Sequence, residues 1–211
     1  GQIVCIHDPD TERTGGQRLM VEQSTLEQLR GLEYGSWKDR RFAGESIPTL
    51  EDVLAIVPPG KLFVIELKSG PSIVPVLVQK LRAASFPSQQ TMIISFHDDL
   101  VRACKEQLPG VKCHWLTGFK QEEATGRWSP TAAQIARTVR AVQADGVGMQ
   151  ARPEVIDADF IRRLRRAGVS EFHTWTVDDP ALARSMQELG AFAITTNRPA
   201  VIREALFGAA P

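Results

Sequence analysis

Six short apolar segments recur along the chain after residue 61, and each is followed by a stretch whose apolar residues repeat with helical spacing. The apolar segments are rich in β-branched and aromatic residues and cover residues 62–67, 91–95, 111–116, 145–149, 171–177 and 192–195. The stretches with helical spacing cover residues 73–84, 98–107, 131–143, 157–167, 180–189 and 199–206. This alternation predicts a series of parallel βα units.

Strands of such units are buried on both faces, which predicts either a closed barrel or a doubly wound sheet. Periodicity alone does not decide between them. Residues 8–61 add no further βα unit but carry a turn at 8–10, a short helix that Ser24 opens in a capping box with Glu27, and a second short helix starting at Thr49. We therefore predict one domain over residues 1–211, with 8–61 as a loop and short-helix insertion.

Composition narrows the classes of partner. Lysine plus arginine and aspartate plus glutamate number 25 each, so the balanced charge predicts neither nucleic acid nor an anionic membrane as a partner. No stretch reaches the roughly 18 apolar residues of a membrane span. The 3 cysteines lack metal-like spacing, which argues against a disulfide scaffold and a zinc site and fits a reducing, cytoplasmic compartment. The oligomeric state stays open.

The segment 63–68 is the most informative strand. Alternation places Glu66 and Lys68 on one face with Val64, near the carboxyl end where parallel α/β folds bind ligands. Glu66 suits a hard divalent cation, and Lys68 suits an anionic oxygen. A structural ion pair between them is the alternative interpretation.

Histidines and aromatic residues supply further candidates. His7 ends an apolar run just before a turn, where an imidazole suits general acid–base catalysis or a structural role. Phe96 and Trp175 fall near the carboxyl ends of predicted strands and either line a pocket or pack in the core.

The remaining histidines are weaker candidates for a site. We expect His97 in a helix cap region, His114 as a core residue within a strand, and His173 in a supporting position on the same strand face as Trp175.

Taken in order, several short motifs resemble those of the glycerophosphodiester phosphodiesterase family. They are His7-Asp8-Pro9, Arg13-Thr14-Gly15, Ile47-Pro48-Thr49-Leu50-Glu51, Ile65-Glu66-Leu67-Lys68, Ile94-Ser95-Phe96, Trp175-Thr176-Val177 and Ile194-Thr195-Thr196-Asn197-Arg198-Pro199. The resemblance implies a TIM (β/α)8 barrel that hydrolyses a small-molecule glycerophosphodiester to glycerol phosphate and an alcohol, with two histidines and a calcium or magnesium ion.

By the same resemblance, His7 matches the second catalytic histidine and Glu66 matches a metal-binding glutamate. Lys68 resembles the lysine that contacts the phosphate region, and Phe96 and Trp175 resemble aromatic residues bordering the substrate pocket.

The chain also departs from the family pattern. The family's first strand ending in His-Arg-Gly, a helix and a second strand with Glu-x-Asp do not precede Gly1, and Asn197 stands where aspartate is usual. We therefore expect an N-terminally incomplete barrel with about six of its eight strands and little hydrolysis by residues 1–211 alone. A non-catalytic, barrel-derived binding module and a related phospholipase D are the alternative functions.

Overall fold

The structure is a computed structural model that describes residues 1–208. The chain divides into two compact units. The first comprises Gly1–Phe63 with Leu67–Thr91, and the second comprises Val64–Glu66 with Met92–Pro211. The expectation of a single domain stays a prediction beside this division.

The first unit contains short helices joined by loops and turns. Its helices are α1 (Glu12–Gly15), α2 (Leu26–Arg30), α3 (Leu50–Leu54) and α4 (Ile73–Ala83), and 3-10 turns cover Val21–Gln23, Arg40–Phe42 and Ser88–Gln90. Isolated antiparallel bridges join Val4 to Thr49 and Asp10 to Met20. Within residues 8–61, where a loop and short-helix insertion is predicted, the structure has α1, α2, α3 and the first two 3-10 turns.

The caps of α2 and α3 correct one detail of the sequence analysis. The capping box of α2 is formed by Thr25 and Gln28, so the prediction of Ser24 with Glu27 is wrong by one residue. Thr25 has the extended backbone that an N-cap requires, and its hydroxyl accepts from the Gln28 backbone N–H at 3.2 Å. Thr49 caps α3 as predicted.

The second unit holds a curled parallel sheet of six strands, a half-barrel in the order β1-β2-β3-β6-β7-β8. These strands are β1 (Phe63–Glu66), β2 (Thr91–Ser95), β3 (Lys112–Thr117), β6 (Gly146–Gln150), β7 (Phe172–Trp175) and β8 (Ala193–Ile194), and β1 and β2 each begin one residue before this unit. The predicted α/β fold of the TIM-barrel type, with six strands, is confirmed.

The helices of the second unit follow the strands as predicted. They are α5 (Asp98–Gln107), α6 (Ala132–Ala141), α7 (Ala158–Arg166), α8 (Pro180–Glu188) and α9 (Pro199–Phe207). Between β3 and α6, a two-stranded antiparallel hairpin of β4 (Lys120–Gln121) and β5 (Trp128–Ser129) was not predicted, because strands of two residues carry no period.

Burial on both faces is confirmed for the interior strand β2, in which all residues are buried. It is wrong for the ends of the sheet. Val64 in β1 is 45% exposed, and Phe192, just before β8, is 44% exposed. These strands are the edges of the six-stranded sheet, and each has a single neighbour within it.

The main core of the second unit lies between β6, β7 and the helices that cover them. Val147 and Met149 of β6 and Phe172 of β7 pack with Ile135 of α6 and Phe160 of α7, and all five are buried. Burial of this apolar stripe explains why both helices follow the predicted spacing. Their hydroxyl and carboxylate caps, Thr131 and Asp157, mark where the helices begin.

A buried polar network lies near the amino ends of β3 and β7. His114 Nε2 lies 2.8 Å from Glu171 Oε1, and His114 Nδ1 lies 2.9 Å from His173 Nδ1. Glu171 also pairs with Lys112 at 2.8 Å. Because this carboxylate accepts from His114, the Nδ1 of His114 is left as the acceptor, and His173 donates to it.

Among residues 1–208, none of the helices combines the length and the apolar character needed to cross a bilayer.

Candidate active site

Three of the predicted site residues lie at or directly after the carboxyl ends of strands in the second unit. This side of the sheet, where the strands end, is called the carboxyl edge below. Glu66 is the last residue of β1, Trp175 is the last residue of β7, and Phe96 follows β2 directly. Parallel strands place their carboxyl ends at the same edge, which is where barrels of this class bind ligands. Glu66 is half-buried there.

The two aromatic side chains meet at this edge. The rings of Phe96 and Trp175 make an edge-to-face contact with their centroids 5.3 Å apart. The indole N–H of Trp115 donates to the backbone carbonyl of Phe96 at 3.2 Å, which holds the residue after β2 in place. Phe96 is 47% exposed, so core packing does not account for it.

Trp175 is half-buried and has an apolar and a polar side. Its ring packs against the buried side chains of Met92, Ile94 and Leu116. Its Nε1 is inaccessible to solvent and has no hydrogen-bond partner among residues 1–208. A buried N–H without an acceptor is costly, so this donor is an unsatisfied polar group behind the exposed Phe96 ring.

The sequence analysis missed Gln150, a polar residue at the same edge. It is the last residue of β6, and its register partner on β7 is Trp175. A Cβ at Gly118 would lie 3.4 Å from Gln150 Oε1 and 4.0 Å from the Trp175 ring. Its signal was a polar residue ending an otherwise apolar strand, in the position where ligands bind.

His7 lies in the first unit, in the loop after Val4, and its side chain is 72% exposed. Its Nδ1 lies 2.8 Å from Asp8 Oδ1, and Arg13 Nε donates to the other carboxylate oxygen at 2.6 Å. The hydrogen bond from Arg13, and then that from His7, lowers the pKa of Asp8 to about 2.

An ionised Asp8 accepts the Nδ1–H of His7 and so leaves Nε2 as the ring nitrogen that faces away from this partner. The sequence analysis assigned Asp8 and Arg13 no role beyond the motifs that contain them, and their short separation from His7 in sequence was the available signal. The geometry fixes one tautomer of an exposed histidine, as a general acid–base catalyst requires.

Lys68 is exposed and follows the end of β1 by two residues, in the first unit. The structure therefore places Glu66, Phe96 and Trp175 in the second unit and His7 and Lys68 in the first. A common site of all five residues stays a prediction.

His97 and His114 lie where the sequence analysis expected, and the supporting position of His173 stays a prediction. His97 is the N-cap residue of α5, although its ring makes no cap hydrogen bond. His114 is a fully buried core residue with hydrogen-bond partners. His173 is bonded to His114, and its pKa is lowered to about 3, first by burial and then by His114.

Comparison with known proteins identifies the family. A sequence model of the glycerophosphoryl diester phosphodiesterase family matches residues 1–201. The chain belongs to this family. A putative glycerophosphodiester phosphodiesterase of Bacillus subtilis, YhdW, is 30% identical over 202 residues, which cover 94% of this chain and 78% of that protein.

A glycerophosphodiester phosphodiesterase of Caldanaerobacter subterraneus is 28% identical over 204 residues, with 94% of this chain and 78% of that protein covered. Among solved structures, an Oleispira antarctica phosphodiesterase in complex with the product sn-glycerol-3-phosphate aligns with a TM-score of 0.81 at 20% identity, covering 96% of this chain and 78% of that one. A putative glycerophosphoryl diester phosphodiesterase from Silicibacter pomeroyi aligns with a TM-score of 0.79 at 19% identity, covering 100% and 81%.

These relatives confirm the predicted family. They favour a diesterase over the binding module and the phospholipase D that the sequence analysis left open. The two structural matches, at about one fifth identity, establish the shared fold.

The family resemblance implies a divalent cation, and calcium or magnesium takes six or more oxygen ligands from carboxylates, carbonyls and waters. Within residues 1–208, no three His, Cys, Asp or Glu side chains come together as a group that could hold a metal ion. The described residues therefore do not fit a complete cation site, and Glu66 is a single candidate ligand.

Proposed function

We propose that this protein hydrolyses glycerophosphodiesters, releasing glycerol phosphate and an alcohol. The match of the family model to residues 1–201 carries the proposal. The Oleispira antarctica relative was solved with sn-glycerol-3-phosphate, which is the product class expected of this reaction.

In this proposal His7 moves the proton at Nε2. The reaction forms a new P–O bond, breaks the P–O bond to the alcohol, and requires a proton to leave the nucleophile and another to reach the departing alkoxide. His7 performs one of these transfers, and Asp8, held by Arg13, keeps the ring in the tautomer with Nδ1 protonated. Asp8 is thus a positioning residue for His7.

The remaining predicted residues are proposed to bind the metal ion or the substrate. Glu66 is proposed as one carboxylate ligand of a calcium or magnesium ion, and Lys68 as a contact for a phosphoryl oxygen. The rings of Phe96 and Trp175 have their centroids 5.3 Å apart, and we propose that they border the pocket for the organic part of the substrate.

The test is hydrolysis of glycerophosphocholine by the full-length protein, followed as release of glycerol 3-phosphate. We expect His7→Asn to lower kcat by at least about a hundredfold, the usual contribution of a general acid–base group. Because His7 is exposed, the variant should unfold at the temperature of the parent. Asp8→Asn should lower kcat as well, since the introduced amide no longer imposes the tautomer.

His97→Asn is the matched control, because His97 is also an exposed histidine and its ring makes no cap hydrogen bond. It should turn over substrate as the parent does. Turnover by His7→Asn equal to that of the parent would remove His7 from the mechanism. Absence of diester hydrolysis in the full-length parent would refute the proposed function.

A further inference from the structure

A single carboxylate joins the loops that follow β7 and β8. Asp178 lies shortly after Trp175, and its Oδ1 accepts from the Thr196 hydroxyl at 2.8 Å and from the Asn197 backbone N–H at 2.7 Å. Its Oδ2 accepts from the side-chain amide of Asn197 at 2.9 Å. All three donors belong to the loop after β8, so one side chain ties the two loops together.

The direction of these hydrogen bonds fixes which residue carries the charge. An ionised carboxylate only accepts, and an amide N–H₂ only donates. The amide of Asn197, and then the Thr196 hydroxyl and the Asn197 backbone N–H, lower the pKa of Asp178. A second carboxylate at position 197 would place two acceptors against each other and would remove the donor that Oδ2 of Asp178 has in the present structure.

The loops depend on this link because the strand ladder beside it is short. The β8 strand has two residues and lies at the edge of the sheet. Beyond it, the Thr195 N–H donates to the Thr174 carbonyl and the Val177 N–H donates to the Thr195 carbonyl, both at 2.9 Å. The hydrogen bonds of Asp178 extend this pairing past the strand ends, on the carboxyl side of Trp175.

We propose that Asp178 and Asn197 are positioning residues for Trp175 and form a carboxylate–amide pair whose members can exchange positions. The importance of Trp175 for catalysis rests on the proposed function. The pair holds the main chain after Trp175 against the loop after β8, and this keeps the indole in its edge contact with Phe96.

Three variants distinguish the effect of the pair from the effect of each residue alone. Asn197→Asp sets carboxylate against carboxylate, whereas in Asp178→Asn the side-chain amide of Asn197 can turn so that its oxygen accepts from the new amide, and only the charge is lost. In the double variant, the amide at position 178 donates to the carboxylate at position 197, and its carbonyl oxygen still accepts from Thr196 and from the backbone N–H. All three hydrogen bonds can therefore form again. Asp179→Asn is the matched control, because this neighbouring carboxylate caps α8.

The first readout is the indole N–H resonance of Trp175 in the ¹⁵N-labelled full-length protein. The chain has 4 tryptophans, and Trp175→Phe assigns the signal. We expect the resonance to shift or broaden in Asn197→Asp, to change less in Asp178→Asn, and to return to the parent position in the double variant. It should stay at that position in Asp179→Asn.

The second readout is hydrolysis of glycerophosphocholine. We expect KM to rise about tenfold in Asn197→Asp and less in Asp178→Asn, with a smaller change in kcat, since in this proposal Trp175 binds substrate and does not react. The double variant should recover the parent KM. Thermal unfolding of each variant fixes a measurement temperature at which it is folded.

An unchanged Trp175 resonance in Asn197→Asp would overturn the proposal. Failure of the double variant to restore the signal would overturn the exchange of the two residues. If the parent shows no hydrolysis, the proposed function fails, and the Trp175 resonance still decides whether the pair positions this side chain.

Discussion

Replacing Gly148 with alanine should strongly destabilise the protein, because two neighbouring strands crowd over this position. Gly148 in β6 pairs in register with Leu116 of β3 and His173 of β7. A Cβ built at Gly148 would lie under 3.0 Å from both side chains, a separation that real Cβ atoms essentially never show. Both neighbours are buried.

The size of the effect follows from what must move. His173 can leave only by giving up its hydrogen bond to His114, and a buried polar group left unpaired costs about 1–3 kcal/mol. Overpacking against Leu116 adds about 1–3 kcal/mol. We therefore expect Gly148→Ala to lower the free energy of unfolding by about 2–6 kcal/mol, or roughly 4–24 °C in Tm for a chain of this size.

Urea and thermal unfolding followed by circular dichroism measure this loss. Gly70→Ala is the control, since a Cβ there meets no heavy atom within 4 Å and its backbone is not left-handed. That variant should stay within about 1 kcal/mol of the parent. A Gly148→Ala protein as stable as the Gly70→Ala protein would refute the close packing of His173 and Leu116 over β6.

Three further predictions concern stability. Because the pKa of His173 is lowered in the folded state, the unfolded state binds more protons at acidic pH. The stability contributed by neutral His173 is therefore complete above about pH 6.5 and is lost as the pH falls toward about 3. His173→Gln should flatten the dependence of the unfolding free energy on pH in this window by up to about 1.4 kcal/mol per pH unit. Thr25→Ala should cost about 1 kcal/mol in urea unfolding because the Gln28 N–H loses its acceptor, whereas Ser24→Ala should cost less. Phe172→Ala should cost about 3–5 kcal/mol, read from the same urea curves, because this ring fills the buried core.

Most of the second unit could be predicted from periodicity. The helix predicted over residues 98–107 is α5, and the strand predicted over 91–95 is β2, because both lie where apolar spacing and burial agree. The edge strands are shorter than predicted: 62–67 became Phe63–Glu66, and 192–195 became Ala193–Ile194. The apolar pattern predicts that a residue such as Val64 is buried, although it lies on an outer strand of the sheet and is exposed.

The candidate site was predictable to the extent that it depends on strand ends. Phe96 and Trp175 could be placed at one edge of the sheet because the strands are parallel, and the structure brings their rings into contact. The orientation of His7 by Asp8 and Arg13 is local in sequence and was within reach of the motif. Gln150 was missed because the polar end of an apolar strand has no distinctive spacing.

Contacts between distant segments explain what the sequence could not provide. His114 and His173 are 59 residues apart, and they meet because β6 runs between their strands with Gly146 and Gly148 at the points where the rings lie. Sequence spacing does not reveal that a glycine in one strand makes room for histidines from two others. The same holds for Asn197, which the sequence analysis noted only as a departure from an expected aspartate: its amide donates to a carboxylate contributed by another loop. A polar residue is therefore best interpreted together with its hydrogen-bond partner, because the pair, and not the single position, determines which charge the fold requires.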